Sequence, residues 1–482
     1  MEKILNYIDG ELRASTTGRW LEVIEPATAT SYGQLSDSGD EDLELAVAAA
    51  QSAFPAWSRT PAEDRGRMLR RLAQKIEAMS EPLALAESID TGKPITLTRK
   101  VDIPRAARNL HFFADAATQF ASEAHYMEAG AINYTLRMPL GVVACISPWN
   151  LPLYLLTWKI APALAAGNCV IAKPSEITPV TAWLFSRLCQ EAGLPPGVLN
   201  ILHGNGPGIG QAIVAHPGIS AISFTGGTAT GASIARTVAP EFRKLSLELG
   251  GKNPSIVFAD ADWEPMMAGV VRAGYSNQGQ ICLCGSRVLV ESSVYEKFRD
   301  EFVSRVGALQ IGDPLNEDTE QGAVVSLAHR DKILDCVEQA RQAGGKILTG
   351  GGAIEPDAER CRDGWFIEPT VIDGLAADSD CNQEEIFGPV VSLIPFEDEA
   401  QALSIANGTR YGLAASVWSG NIGRCHRLAE QLQAGLIWIN TWMMRDLRTP
   451  MGGVKNSGVG REGGLEAMRF FTEPRNVCIK YR

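Results

Sequence analysis

At 482 residues, with 45% hydrophobic and 21% charged side chains, the chain is longer than one hydrophobic core ordinarily serves, so two or three domains are expected. Its 44 basic and 56 acidic residues give a formal charge of -12, a balance that disfavours nucleic acid and anionic membrane as partners. A small anionic ligand is still allowed, because a local basic pair can invert the field inside a pocket.

The opening, MEKILNYIDG, has no basic stretch ahead of an apolar core, and no run of about 18 apolar residues follows. Neither a secretory leader nor a membrane span is expected, and the cytoplasm is the expected compartment. The 10 cysteines are sparse and lack paired CxxC spacing, and the 6 histidines form no HExxH and no i, i+4 pair. Reduced thiols and no metal centre are therefore expected.

Between Asn6 and Leu12, Asp9-Gly10 separates two short apolar stretches, which predicts a hairpin. Residues 42–57 and 61–90 have helical apolar spacing, and Pro61 suits a first helical turn. From Gly141 the pattern changes. Apolar runs at 142–147, 169–172, 198–202, 221–224 and 245–247 predict strands, with helices over 178–192 and 208–215 between them. This alternation predicts an α/β fold with a parallel sheet covered on both faces. A second series, from near Ser255 past Trp438, predicts a second α/β domain. Residues 126–138 and 473–482 look like marginal strands that pair with each other or with another subunit. No repeat or flexible linker interrupts the chain.

Two positions combine reactive chemistry with a suggestive setting. Cys282 follows the glycine-containing turn Asn277-Gln-Gly-Gln280, where a side chain can project into a cleft. A thiol attacks carbonyl carbon when partly ionised, although a cysteine taken alone is more often a small core residue. Glu248 ends the apolar run from Leu245 and precedes Gly250 and Gly251. That is a strand's carboxyl end, where α/β folds place their sites; the plain alternative is a solvated charge.

Taken together, Leu247-Glu248-Leu-Gly-Gly-Lys252 and Asn277-Gln-Gly-Gln-Ile-Cys282 resemble the Glu and Cys signatures of the aldehyde dehydrogenase superfamily, in that family's order. Pro148-Trp149-Asn150, Lys173-Pro-Ser-Glu176, Phe224-Thr-Gly-Gly-Thr228, Glu384-Glu-Ile-Phe-Gly-Pro389 and Pro450-Met-Gly-Gly453 extend the resemblance over essentially the whole chain. It implies an NAD-binding domain over residues 1–121 and 141–249, a catalytic domain over 250–449, and oligomerisation strands over 122–140 and 466–482. A homodimer or homotetramer is implied as well. Cys282 would attack the aldehyde to give a thiohemiacetal, its oxyanion held by the Asn150 amide and the Cys282 backbone N–H. Such donors contribute about 3–4 kcal/mol each in other enzymes. Hydride would pass to the nicotinamide, and Glu248 would activate water against the resulting thioester. Cys284 is expected to pack rather than act as a redox partner.

The resemblance also supplies cofactor contacts. Lys173 and Glu176 would meet the adenosine ribose, where a carboxylate accepts from the hydroxyls and repels a 2′-phosphate, so NAD is expected over NADP. Trp149, Gly226, Gly227, Glu385 and Phe387 would line the rest of the site, the last two at the nicotinamide ribose and ring. The run Gly204–Gly210 fails GxGxxG and reads as a loop. Gly226–Gly231 reads as the opening of a helix over 232–238, offering backbone N–H groups to the pyrophosphate.

Asp102-Ile-Pro-Arg105 and Trp442-Met-Met-Arg445-Asp-Leu-Arg448 resemble the branch that oxidises 2-hydroxymuconate and 2-aminomuconate 6-semialdehydes in aromatic catabolism. Residues 150–158, 281–284 and 470–473 support that likeness. Such substrates carry a carboxylate remote from the aldehyde, and Arg105 and Arg445 would hold it with paired N–H donors. The alternative is two surface arginines bonded to Asp102 and Asp446, with Arg448 nearer that description. Met443, Met444 and Met451 stand where more aromatic character is expected. A betaine or amino-aldehyde would want aromatic or acidic residues around its cation, and a general aliphatic aldehyde would need neither. A CoA-acylating relative would lack the Glu248 equivalent, and a silent structural relative would lack the Cys282, Glu248 and Asn150 set. The branch leaves 2-hydroxy against 2-amino open, and dimer against tetramer.

Overall fold

Asp9 and Gly10 adopt left-handed φ values of 53° and 81°, closing a two-residue hairpin in which Ile8 pairs with Glu11. Asn-, Asp- and Gly-containing turns of this kind match the twist of the flanking strands. The computed structural model describes residues 2–481; Met1 and Arg482, the outer ends of two expected segments, lie outside the described residues. The helical stretch expected over 61–90 is two helices, Ala62–Ala78 and Ser80–Thr91, and Pro61 is the residue just before the first. Pro82 lies in the opening turn of the second. It has no N–H to extend the preceding ladder, so one helix cannot run through.

The five expected strands form the parallel centre of an eight-stranded sheet. In spatial order they are Lys244–Glu248, Ala221–Thr225, Val142–Ile146, Cys169–Lys173 and Leu199–Ile201. The N-terminal hairpin extends one edge and Gly458–Val459 the other, both antiparallel. The chain runs outward from Val142–Ile146 in one direction and later returns to lay Ala221–Thr225 on its other side. The order therefore switches between these two strands, and their carboxyl ends flank a crevice.

A second sheet of seven strands spans Pro254–Val257 to Leu436–Ile439 and is parallel except for Lys346–Thr349 at its edge. The marginal strands also pair. Thr472–Lys480 runs antiparallel to Ala131–Pro139 along its whole length, and Ala124–Met127 joins on the other side. Residues 126–138 are thus parts of two strands, broken at left-handed Gly130. Among the described residues no helix is long and apolar enough to cross a membrane.

Candidate active site

The crevice at the switch carries the motifs. Pro148-Trp149-Asn150 follows one flanking strand and Gly226-Gly227 the other. The helix after the glycines starts at Thr228, one turn earlier than expected, so Gly227 is its N-cap. Its free N–H groups face the crevice as an anion site. A cavity of 610 Å³ runs along this surface, lined by Lys173, Glu176, Gly206, Gly226 and Gly227. A second of 260 Å³ shares Trp149, Gly226 and Gly227 with it and reaches Asn150, Cys282, Glu385 and Phe387. The elongated double cavity, with an anion site between its ends, fits a dinucleotide.

At the far end Lys173 Nζ donates to Glu176 at 2.9 Å, and Glu176 also accepts from the Gly206 N–H at 3.2 Å. Burial pushes the Glu176 carboxyl up, but Lys173 and that N–H outweigh it and hold it below the usual carboxylate range. The glycine-rich run read as a loop contains a π-helical turn, Gly206–Gly210, and supplies part of this wall. At the near end Glu385 accepts from the Gly251 N–H at 2.9 Å, and a Cβ on Gly250 would collide with its carboxylate. Phe387 is left-handed at φ 63° and packs on Trp149, ring centroids 5.2 Å apart. His329 secures it with a 2.7 Å bond from Nε2 to its carbonyl. Burial pulls that imidazole down to about 4, so it is neutral and donates. His329 and Lys332 line this cavity unanticipated, because no motif marks them.

Cys282 sits on a strained turn. Asn277 and Gln278, neither of them glycine, are left-handed at φ 53° and 54°, and Gly279 follows at 69°. Left-handed residues with a Cβ cost about 1–2 kcal/mol each. Side chains hold the turn against that cost. Asn277 Nδ2 donates to the Asn150 carbonyl at 3.1 Å, Gln278 Nε2 to the Ala323 carbonyl at 2.6 Å, and Gln280 Oε1 accepts from Val325 N–H at 3.0 Å. The Asn150 amide donates to the Gln280 carbonyl at 2.9 Å, which brings it to the Cys282 loop. Burial pushes the Cys282 thiol up, and Glu385 and Glu248 push it further, so it rests protonated. Cys284 is buried, its Sγ 3.9 Å from the Ser276 carbonyl, in a packing position.

Glu248 ends its strand at the sheet surface, 4% exposed, with neither carboxylate oxygen bonded to protein among the described residues. Burial raises its pKa well above the carboxylate range, and Glu462 adds to the shift. A Cβ on Gly452 would lie 2.7 Å from its Oε1, which explains the glycine of the Pro450–Gly453 motif. A desolvated, unpartnered carboxyl of raised pKa is suited to take a proton from water.

Beyond the thiol lies a third cavity, of 510 Å³, lined by Arg105, Tyr154, Ile281, Trp442 and Arg445 among others. Both guanidinium groups lie against Trp158, 5.3 and 5.5 Å from its ring centroid. The acids available in sequence do not hold them. Asp102 pairs with Lys93, and Asp446 with Arg448. Arg105 Nε donates to Asn109 at 2.9 Å, which the sequence did not mark, and its Nη2 is buried without a partner. Arg445 has both Nε and Nη2 buried and without a partner among the described residues. Burial pushes Arg105 down to about 10; Tyr154 opposes the shift and Arg445 reinforces it. The loop bearing Arg445 is tied to the nucleophile loop by Trp442 Nε1 donating to the Leu283 carbonyl at 3.0 Å. Met443 and Met444 line this cavity, but Tyr154 and Trp442 give it the aromatic character that was expected.

Comparison with known proteins agrees with this arrangement. A family model described as "Aldehyde dehydrogenase family" matches residues 12–477. A 2-aminomuconic semialdehyde dehydrogenase of Danio rerio is 48% identical over 478 residues, 99% of this chain and 98% of that protein. A 2-hydroxymuconic semialdehyde dehydrogenase of Pseudomonas sp. (strain CF600) is 43% identical, covering 100% of both. The NAD+ complex of an aldehyde dehydrogenase from Bacillus cereus superposes with a TM-score of 0.97 at 36% identity, over 100% of this chain and 97% of that one. On motifs, fold and full-length likeness together, the chain belongs to the aldehyde dehydrogenase family.

Proposed function

We propose that the chain oxidises an aldehyde with a carboxylate at its far end, a 2-amino- or 2-hydroxymuconic 6-semialdehyde, using NAD. The observation that carries the substrate class is the pair of arginines in one cavity, with buried N–H groups that no acceptor among the described residues satisfies. An unsatisfied buried donor costs about 1–3 kcal/mol, more when charged, and a ligand carboxylate removes that cost. A cationic aldehyde would be repelled there. The names of the similar proteins are consistent with this reading.

In this reading the aldehyde lies with its carboxylate on Arg105 and Arg445 and its carbonyl beside Cys282. The thiol gives up its proton to water, the thiolate sulfur adds to the carbonyl carbon, and the Asn150 amide and the Cys282 N–H receive the oxyanion. Lys173, Glu176, Gly226, Gly227, Trp149, Glu385 and Phe387 are the residues that would hold NAD, which would supply the hydride acceptor for oxidation of the thiohemiacetal to a thioester. Glu248 then takes a proton from the water that cleaves the thioester. The division into a cofactor domain (residues 1–121 and 141–249), a catalytic domain (250–449) and oligomerisation strands (122–140 and 466–482) belongs to the same proposal. So do a homo-oligomer and a cytoplasmic location.

Purified protein with NAD and a panel of aldehydes, followed at the NADH absorbance, tests the reading. The muconic semialdehydes should show the highest kcat/KM. Equal kcat/KM for an uncharged aldehyde of the same length would refute the substrate class.

A further inference from the structure

Lys93 is fully buried and makes two short bonds. Nζ donates to Asp102 at 2.6 Å and to the backbone carbonyl of Asn150 at 2.7 Å. The same carbonyl accepts from Asn277 of the nucleophile turn. The Asn150 peptide is thus gripped from one side by a cation and from the other by the loop that presents the thiol. The acid on Lys93 is itself placed. Asp102 immediately precedes the helix Ile103–Gln119, which carries Arg105. Lys93 follows left-handed Gly92, whose carbonyl accepts from Gln278 of the nucleophile turn at 3.2 Å.

Burying an ammonium takes several kcal/mol of desolvation, so such a group is retained where its bonds do something a neutral contact would not. Here it joins three segments that must keep register with one another: the oxyanion donor, the thiol turn and the substrate-binding helix. Glu87 stands close by, where burial pushes its carboxyl up to about 7 and Lys93 draws it back.

We propose that Lys93 is a positioning residue for the oxyanion site: it fixes the Asn150 peptide, and with it the Asn150 amide, and through Asp102 it holds the Arg105 helix to the same point. This rests on the reading of Asn150 as the oxyanion donor. A reacting group displaced by about 1 Å loses on the order of a hundredfold in rate, so a loosened peptide should slow formation of the thioester without weakening cofactor binding.

The test is a cycle on the rate of the NADH burst, with NAD affinity measured by fluorescence titration on each protein. Lys93→Met alone would strand a buried carboxylate, so it is combined with Asp102→Leu. Lys93→Gln serves as the milder variant should that pair fail to fold. The Lys93 change should slow the burst by roughly ten- to a hundredfold, with NAD affinity unchanged. Asn150→Ala should slow it by about 10²–10³-fold. Adding the Lys93 change to Asn150→Ala should cost no more than about twofold beyond Asn150→Ala alone. Asp102→Asn, which keeps the Lys93–Asn150 bond but leaves the buried ammonium without its carboxylate, should slow the burst less than the Lys93 change does; an equal slowing would assign the effect to Asp102 and overturn the proposal. If the Lys93 change multiplies the defect of Asn150→Ala in full, Lys93 acts elsewhere and the proposal is overturned. If Asn150→Ala leaves the burst untouched, the oxyanion reading itself falls, a result distinct from the first.

Discussion

Lys173 and Glu176 line one end of the cleft and bond each other at 2.9 Å, whereas Arg105 and Arg445 line the other and keep buried N–H groups without an acceptor among the described residues. The contrast separates two kinds of recognition. A paired lysine and carboxylate already satisfy one another, so a ligand hydroxyl exchanges one hydrogen bond for another and gains little. Unpartnered buried donors gain the full difference when an acceptor arrives, about 1.5–3 kcal/mol for a charged hydrogen bond. Under the proposed function, discrimination at the arginine end should therefore exceed discrimination at the Lys173 end.

The largest effect belongs to the centre. Cys282→Ala should lower turnover by at least about 10⁴-fold while NAD affinity persists; substantial NADH production by that variant would end the nucleophile assignment. Glu248→Gln should lower the steady-state rate by roughly 10²–10⁴-fold, the usual contribution of a general base. It should leave the burst of NADH, with a thioester trappable on Cys282. The same groups set the pH dependence. Both act after losing a proton, and burial raises both pKa values. Activity should therefore rise as pH increases from acid through neutral, and Glu248→Gln should remove an ionisation from the steady-state profile. A flat profile in the unaltered enzyme would contradict the buried-base description.

The two ends follow. Arg445→Met should lower kcat/KM for a muconic semialdehyde by about ten- to a hundredfold, at 1.4 kcal/mol per factor of ten, mostly through KM. It should spare an uncharged aldehyde of similar length. Arg105→Met should do the same more weakly, since Asn109 already holds its Nε. Equal losses on charged and uncharged aldehydes would make both arginines structural. At the other end the unaltered enzyme should prefer NAD. Glu176→Gln should shift the NAD to NADP ratio of kcat/KM by about tenfold, one hydrogen bond's worth. A shift there larger than the Arg445 effect would invert the comparison.

Much of this was readable from the residues because it is local. Hairpin, strand series and signature motifs depend on neighbours in sequence; Asn150 and Cys282 line one cavity, and Glu248 is near enough to push the thiol's pKa up. What escaped is set by tertiary partners. Asp102 stands three residues before Arg105, yet its carboxylate goes to Lys93. Asp446 bonds Arg448 two residues on, leaving Arg445 to the cavity. Asn109, His329 and Lys332 act through single contacts that no short pattern announces. The π-turn at Gly206–Gly210 escaped because a glycine-rich run allows many backbone paths, and the Glu176 carboxylate supports this one.

The turn at Asn277 and Gln278 bears on how the chain comes to life. Its partners are the carbonyls of Gly92, Asn150 and Ala323 and the N–H of Val325, far apart along the polypeptide. While the chain is being made, Gly92 and Asn150 emerge first, and residues 323–325 only after the thiol itself. Without that last segment the turn keeps the bonds from Asn277 to Asn150 and from Gln278 to Gly92, and lacks those that tie Gln278 to Ala323 and Gln280 to Val325. The aim of the Cys282 sulfur therefore rests partly on a segment that follows it in the chain, and a polypeptide cut short before residue 323 would lack part of what holds that turn.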